Sequence, residues 1–166
     1  MKDLRIIPVT NMELLYSIIP VAEEIWREHY IPIIGEKQVE YMLEKFLSAE
    51  ALVEQINSGY EYFLFSYDYT FAGFAGIKEE DGKLFLSKLY VDKEFRGKGI
   101  ASYMFQKFVE ICNTRGLNKI WLTCNRCNTN SLEVYKHLGF VVAREEVTDI
   151  GEGFVMDDFI MEYDMK

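Results

Sequence analysis

Tyr90-Val91-Asp92-Lys93-Glu94-Phe95-Arg96-Gly97-Lys98-Gly99-Ile100-Ala101 is the stretch on which the reading of this sequence turns. Before it, residues 83–91 read as a strand fed by the hairpin signal Asp81-Gly82. After it the period becomes helical. Ala101, Met104, Phe105, Phe108, Ile111 and Cys112 form one apolar stripe, while Gln106, Lys107, Glu110 and Asn113 face away. Gly116 is the expected C-cap, and the alternation of Ile120, Leu122 and Cys124 predicts a strand. Strand, glycine turn, helix and strand form a crossover, which places two parallel strands in one sheet.

The turn itself has a chemistry. Its glycines allow positive φ, so successive backbone N–H groups can converge on one concavity. That concavity sits at a helix N-terminus, where four amides lack partners and the helix dipole is positive. Arg96 and Lys98 add charge, and the arrangement suits a phosphate or pyrophosphate. A plain strand-to-helix turn with two solvated cations is the competing reading. Local charge favours the anion: residues 83–119 hold eight basic residues (Lys83, Lys88, Lys93, Arg96, Lys98, Lys107, Arg115, Lys119) against Asp92, Glu94 and Glu110. That is a local excess of +5 in a chain of net charge −9. Neither a Walker P-loop nor the dinucleotide G-x-G-x-x-G occurs here.

Outward from this centre, residues 4–9 predict a strand, and Thr10 with Glu13 a capping box. Pro20 is expected to break or kink the helix that follows, with a second piece running to Tyr30 and a loop at 32–35. Helices are expected at 36–47 and 50–57, closed by Gly59, and strands at 60–67 and 70–78. Beyond residue 124, a helix at 131–138 capped by Asn130 and stopped by Gly139 precedes strands at 140–147 and 154–163. The order β-α-α-α-β-β-β-α-β-α-β-β describes an α/β protein with a mixed, largely antiparallel sheet flanked by helices.

The 166 residues, 49% hydrophobic, suit one domain with an adequate core. The acidic balance speaks against a general nucleic-acid binder, and no apolar run is long enough for a membrane span or, at the N-terminus, a signal peptide. Three cysteines, an odd number, argue against a disulfide framework. A reduced, cytoplasmic setting is expected, with neither nucleic acid nor membrane as partner.

A second constellation completes the first. Arg96-Gly97-Lys98-Gly99-Ile100-Ala101 resembles the R/Q-x-x-G-x-G/A signature of the GNAT family of N-acetyltransferases. Asn128-Thr129-Asn130-Ser131-Leu132-Glu133-Val134-Tyr135-Lys136-His137-Leu138-Gly139-Phe140 resembles that family's later block, N-x-x-A-x-x-x-Y-x-x-x-G-F, at the family's spacing. The resemblance covers the chain from about residue 60 onward and implies one acetyltransferase domain over 1–166. It implies a splayed strand pair, ending at Val91 and Cys124, with acetyl-CoA between. Leu89, Tyr90 and Val91 would present strand edges to the pantetheine arm. Amides of Arg96, Gly97, Lys98, Gly99, Ile100, Ala101 and Ser102 would hold the pyrophosphate. Asn128 and Asn130 would bind the far side of the cofactor, and Tyr135 would reach the thioester sulfur as catalytic acid. No metal is implied, and the resemblance leaves room for a homodimer. There are two departures: Ser131 replaces an alanine, and Ser87 stands where many relatives carry a glutamate base.

The chemistry agrees with these residue types. Acetyl transfer needs a neutral amine, donors for an oxyanion and an acid for the departing thiolate. A tyrosine of pKa about 10 can protonate a thiolate whose thiol is near 8.5. On its own, Tyr135 would read as a half-buried aromatic on an amphipathic helix. Cys124-Asn125-Arg126-Cys127 lacks the second pair a zinc site needs; Cys124 reads as core and Cys127 as loop. His29 reads as a surface residue near the acceptor side, and the aromatics of 60–74 as sheet core rather than a base-stacking platform.

Two acidic segments bear on the acceptor. Residues 21–61 hold nine Glu against Arg27, Lys37 and Lys45, and residues 140–166 hold eight acids against Arg144 and Lys166. Solvated helix faces explain such runs as well as a cation-attracting mouth does. The layout, with Asp157-Asp158 near the end, resembles bacterial polyamine acetyltransferases and implies a small cationic primary amine as acceptor. The alternatives are a protein or peptide N-terminus, or a non-catalytic module that senses acetyl-CoA.

Overall fold

The structure, a computed structural model, describes residues 3–166. The reading of the N-terminus rests partly on Met1 and Lys2, which lie outside the described residues. In chain order the elements are β1 (Leu4–Pro8), α1 (Met12–Ile34), α2 (Glu36–Leu47), α3 (Ala49–Asn57), β2 (Tyr60–Tyr67), β3 (Thr70–Glu80), β4 (Lys83–Val91), α4 (Ile100–Arg115), β5 (Lys119–Asn125), α5 (Thr129–Leu138), β6 (Val141–Gly151) and β7 (Phe154–Asp164). A 3-10 turn at Lys93–Phe95 lies between β4 and α4. The strands form one seven-stranded sheet in the order β1-β2-β3-β4-β5-β7-β6. The chain divides into two compact units. One holds the residues before Glu79 with Lys88–Met104; the other holds Glu79–Ser87 and Phe105–Lys166.

In the first unit, α1 corrects an expectation. It runs unbroken through Pro20 and Pro32. Leu15, Ile18, Ala22, Ile25 and Trp26 are all buried, so the apolar stripe continues across the proline, whose ring is exposed. Burying large side chains at about 1.5–3 kcal/mol each offsets the roughly 3 kcal/mol that an interior proline costs. The cap is Asn11, not Thr10: its side-chain oxygen accepts from the Leu14 N–H at 2.8 Å. Asparagine is at least as good a cap as threonine, so the helix begins one residue later. Gly73 in β3 is required by close approach, since a Cβ there would lie 2.1 Å from the Tyr90 carbonyl oxygen.

In the second unit, β4 and β5 are parallel, with Lys83, Leu84 and Phe85 opposite Lys119, Ile120 and Trp121. The expected crossover is therefore present. β5 and β7 are antiparallel, and their register sorts the side chains onto two faces. Ile120, Leu122 and Cys124 with Tyr163, Met161 and Phe159 share one face, where the Tyr163 ring meets Phe105 of α4 edge-on at 4.9 Å. Trp121, Thr123 and Asn125 with Glu162, Ile160 and Asp158 share the other. Phe85 stacks on Trp121 at 4.2 Å, so by strand alternation Lys83, Phe85 and Ser87 lie on this second face too. α5 starts at Thr129, capped by Asn128 rather than the expected Asn130. Asn128 Oδ1 accepts from the Ser131 N–H at 3.4 Å, and Gly139 closes the helix at φ 108°. A cap at Asn128 satisfies an amide that a start at Ser131 would leave outside the helix.

Candidate active site

The glycine turn has the backbone its sequence requires. Gly97 and Gly99 adopt φ of 79° and 81°, in the left-handed region that side chains with a Cβ disfavour. The turn is exposed, and α4 begins at Ile100 with the Tyr103 N–H donating to the Gly99 carbonyl at 3.0 Å. The amides of the first helical turn have no acceptor within the helix.

Arg96 does something its sequence position does not reveal. Its Nε donates to the Val91 carbonyl at 2.9 Å, and its Nη1 and Nη2 reach both carboxylate oxygens of Glu28 in α1, at 3.2 and 3.0 Å. The guanidinium holds the Glu28 carboxyl below the usual carboxylate range. A bidentate pair of this kind fixes geometry as well as charge, so the Arg96 side chain braces the turn against α1. A second tie lies beside it: the Tyr30 and Tyr90 hydroxyls are 2.7 Å apart, and Trp26 packs edge-on against both rings. His29 is half-buried and meets the Tyr30 ring at 4.7 Å. Leu89, Tyr90 and Val91 are all half-buried.

Lys88 departs from the basic strip in which its sequence places it. It is only 6% exposed and donates to the Tyr62 hydroxyl at 2.7 Å and to Gln55 Oε1 at 3.2 Å. Burial pushes its pKa down to about 7. Arg115 meets Glu79 at 3.4 Å, and Lys119 meets Glu162 at 2.9 Å and Asp164 at 3.4 Å. Lys93 and Lys98 remain exposed at the turn, with the Lys98 ammonium 5.6 Å from the Tyr67 ring centre.

The second unit carries Asn128, Asn130 and Tyr135. Asn128 is buried and Asn130 exposed; Tyr135 is half-buried, with its ring edge-on to Phe140 at 5.7 Å. Cys124 is buried and Cys127 exposed, as their positions suggested, and burial raises the Cys124 thiol to about 12. A thiol so disposed is a poor nucleophile at neutral pH. Asp158, which the sequence marked only as half of the acidic pair Asp157-Asp158, is only 6% exposed. Its neighbour Asp157 is paired with Arg126 at 3.1 Å.

Residues 19–140 match the model of the acetyltransferase (GNAT) family. The chain belongs to that family. Its relatives include the spermidine N(1)-acetyltransferase of Thermoplasma acidophilum, 29% identical over 89% of this chain and 92% of that protein. Among solved structures, the PaiA N-acetyltransferase of T. acidophilum in complex with coenzyme A has a TM-score of 0.80 at 28% identity, covering 98% of this chain and 99% of that one. The ribosomal-protein-S18-alanine N-acetyltransferase of Escherichia coli shares the fold, with a TM-score of 0.70 at 16% identity over 99% of this chain and 95% of that one. This GNAT chain is therefore an acetyl-CoA-dependent N-acetyltransferase.

Proposed function

We propose that the chain is one acetyltransferase domain that moves the acetyl group of acetyl-CoA, by direct attack, onto the primary amine of a small cationic acceptor of polyamine type. The observation that carries this reading is similarity along nearly the whole chain to a spermidine N(1)-acetyltransferase. Charge supports it, since the segments at 21–61 and 140–166 are rich in acid.

In this reading the amides from Arg96 to Ser102 hold the pyrophosphate, and Leu89, Tyr90 and Val91 run beside the pantetheine arm. Asn128 and Asn130 contact the cofactor's far side. The amine nitrogen forms a bond to the thioester carbon, the carbon–sulfur bond breaks, and Tyr135 gives its proton to the departing thiolate. No covalent acetyl-enzyme forms.

Thiol release from acetyl-CoA, followed across spermidine, other diamines, aminoglycosides and peptide N-termini, tests the assignment. Spermidine or a related diamine should be acetylated fastest, with the mass of the product raised by one acetyl group. Preference for a peptide N-terminus, or turnover with none of the panel, would overturn it.

A further inference from the structure

A cationic amine must lose protons to become an amide, and Ser87 has no group to take them. We propose that Asp158 is the general base of this enzyme, accepting a proton from the acceptor nitrogen in place of the glutamate that many relatives carry at the position of Ser87. This rests on the amine-acetyltransferase reading above.

Three observations of the second unit carry it. The first is the face: Asp158 pairs with Asn125, the last residue of β5, on the sheet side that also bears Trp121, Thr123 and, in β4, Ser87. Ser87 leaves its place on this face without a carboxylate, and Asp158 supplies one two strands away. The second is placement beside the proposed catalytic segment. Asn125 opens the turn whose next residues are Arg126 and Cys127. The Arg126 N–H donates to the Asp157 carbonyl at 3.0 Å, and Asn128, the cap of the helix bearing Tyr135, donates to the Asn125 carbonyl at 2.9 Å. The third is the state of the carboxylate. Asp158 is 6% exposed, and among the described residues no side chain donates to it or forms an ion pair with it. Arg126, the nearby cation, is engaged by Asp157 of β7 and Glu145 of β6, at 3.1 and 2.7 Å.

Two like charges and a neutral thiol lie around Asp158. Asp157 lies beside it on β7, Glu146 is opposite on β6, and the Cys124 thiol is on β5. Burial, then Asp157 and Glu146, raise its pKa to about 6. A buried carboxylate held this close to neutrality, with two like charges beside it, is costly as structure and suited to accepting a proton.

The protons balance. An acceptor ammonium carries three protons on nitrogen and the amide product carries one. Asp158 takes one of the two lost and returns it to solvent. The other passes to solvent as the carbon–nitrogen bond forms, while the thiolate receives one from Tyr135, which takes a replacement proton back from solvent. The net result is one proton released per acetyl group transferred from a protonated amine.

Asp158→Asn keeps the shape and removes the basic oxygen. With spermidine and acetyl-CoA at neutral pH, kcat/KM should fall by about 10²–10⁴-fold, the range of a positioned base. Acetyl-CoA affinity and Tm should not fall. The wild-type rate should decline on the acid side with a midpoint near 6, a limb that Asp158→Asn lacks. Its deficit should shrink at alkaline pH, where the amine is already neutral. Glu146→Gln, which removes a like charge, should move the acid limb to lower pH. An Asp158→Asn enzyme with unchanged rate and acid limb would overturn the assignment, as would a loss that is equal at every pH. Wild-type protein inactive on every amine would instead overturn the functional reading and the base with it.

Discussion

In the proposed mechanism, Tyr135 and the two turn glycines carry most of what single residues contribute. Tyr135→Phe keeps the ring and its edge-on contact with Phe140. If the hydroxyl protonates the leaving thiolate, kcat should fall by about 10²–10⁴-fold, with little change in acetyl-CoA affinity because the lost interaction acts in the transition state. Steady-state kinetics under conditions where chemistry limits the rate checks this, and an unaltered kcat would remove Tyr135 from the mechanism. Gly99 sits at φ 81°, where a β-branched side chain is strained. Gly99→Val should therefore weaken acetyl-CoA binding; calorimetry on the folded variant reads it directly, and undiminished affinity would contradict the role of the turn. These residues were legible because family motifs and backbone chemistry mark them. Glu28 and Asp158 were not. Glu28 meets Arg96 across 68 positions of sequence, and the role proposed for Asp158 depends on the β5–β7 register, which alternation within one strand does not supply.

At the level of elements, periodicity and turn chemistry were reliable where they agreed with burial. The strands Tyr60–Tyr67 and Lys83–Val91 and the helix Glu36–Leu47 have the bounds their patterns indicate. The proline rule failed in α1, because local propensity is weaker than a stripe of five buried side chains. β4 conceals another feature. Lys88 looks like one more cation in a basic strip, yet it is buried against Tyr62 and Gln55 with a pKa of about 7. An ordinary lysine titrates near 10.5. Between those values the unfolded chain binds a proton that the folded chain does not, so the Lys88 contribution makes stability rise as pH climbs through that window. Below about 7 both states are charged and the burial cost is carried in full. Lys88→Met should raise the urea midpoint at and below neutral pH and flatten the rise from pH 7 to 10.5. A variant less stable than wild type at pH 6, or one with the same pH dependence, would show that the ammonium is well accommodated.

Across the whole molecule, the proposed cationic acceptor is a matter of charge, and the structure refines what the charge count says. Several acids are spent internally: Glu28 on Arg96, Glu23 and Glu40 on Arg27, Glu145 and Asp157 on Arg126. Glu24, Glu44, Glu50, Glu54, Glu146 and Glu152 stay exposed, so the acidic excess of both segments still faces solvent. Such a field attracts a cation and is screened over about 8 Å at physiological ionic strength. Fold class and the glycine turn could be read from sequence because each is marked by local pattern. The acceptor could not, because it depends on which charges remain after pairing. The most direct measurement is therefore kcat/KM for spermidine against an uncharged and an acidic amine in one assay, each at low and high salt. The account predicts that spermidine is preferred, and that its KM rises with salt more steeply than that of acetyl-CoA. A faster reaction with the neutral or acidic amine, or a spermidine KM indifferent to salt, would contradict it.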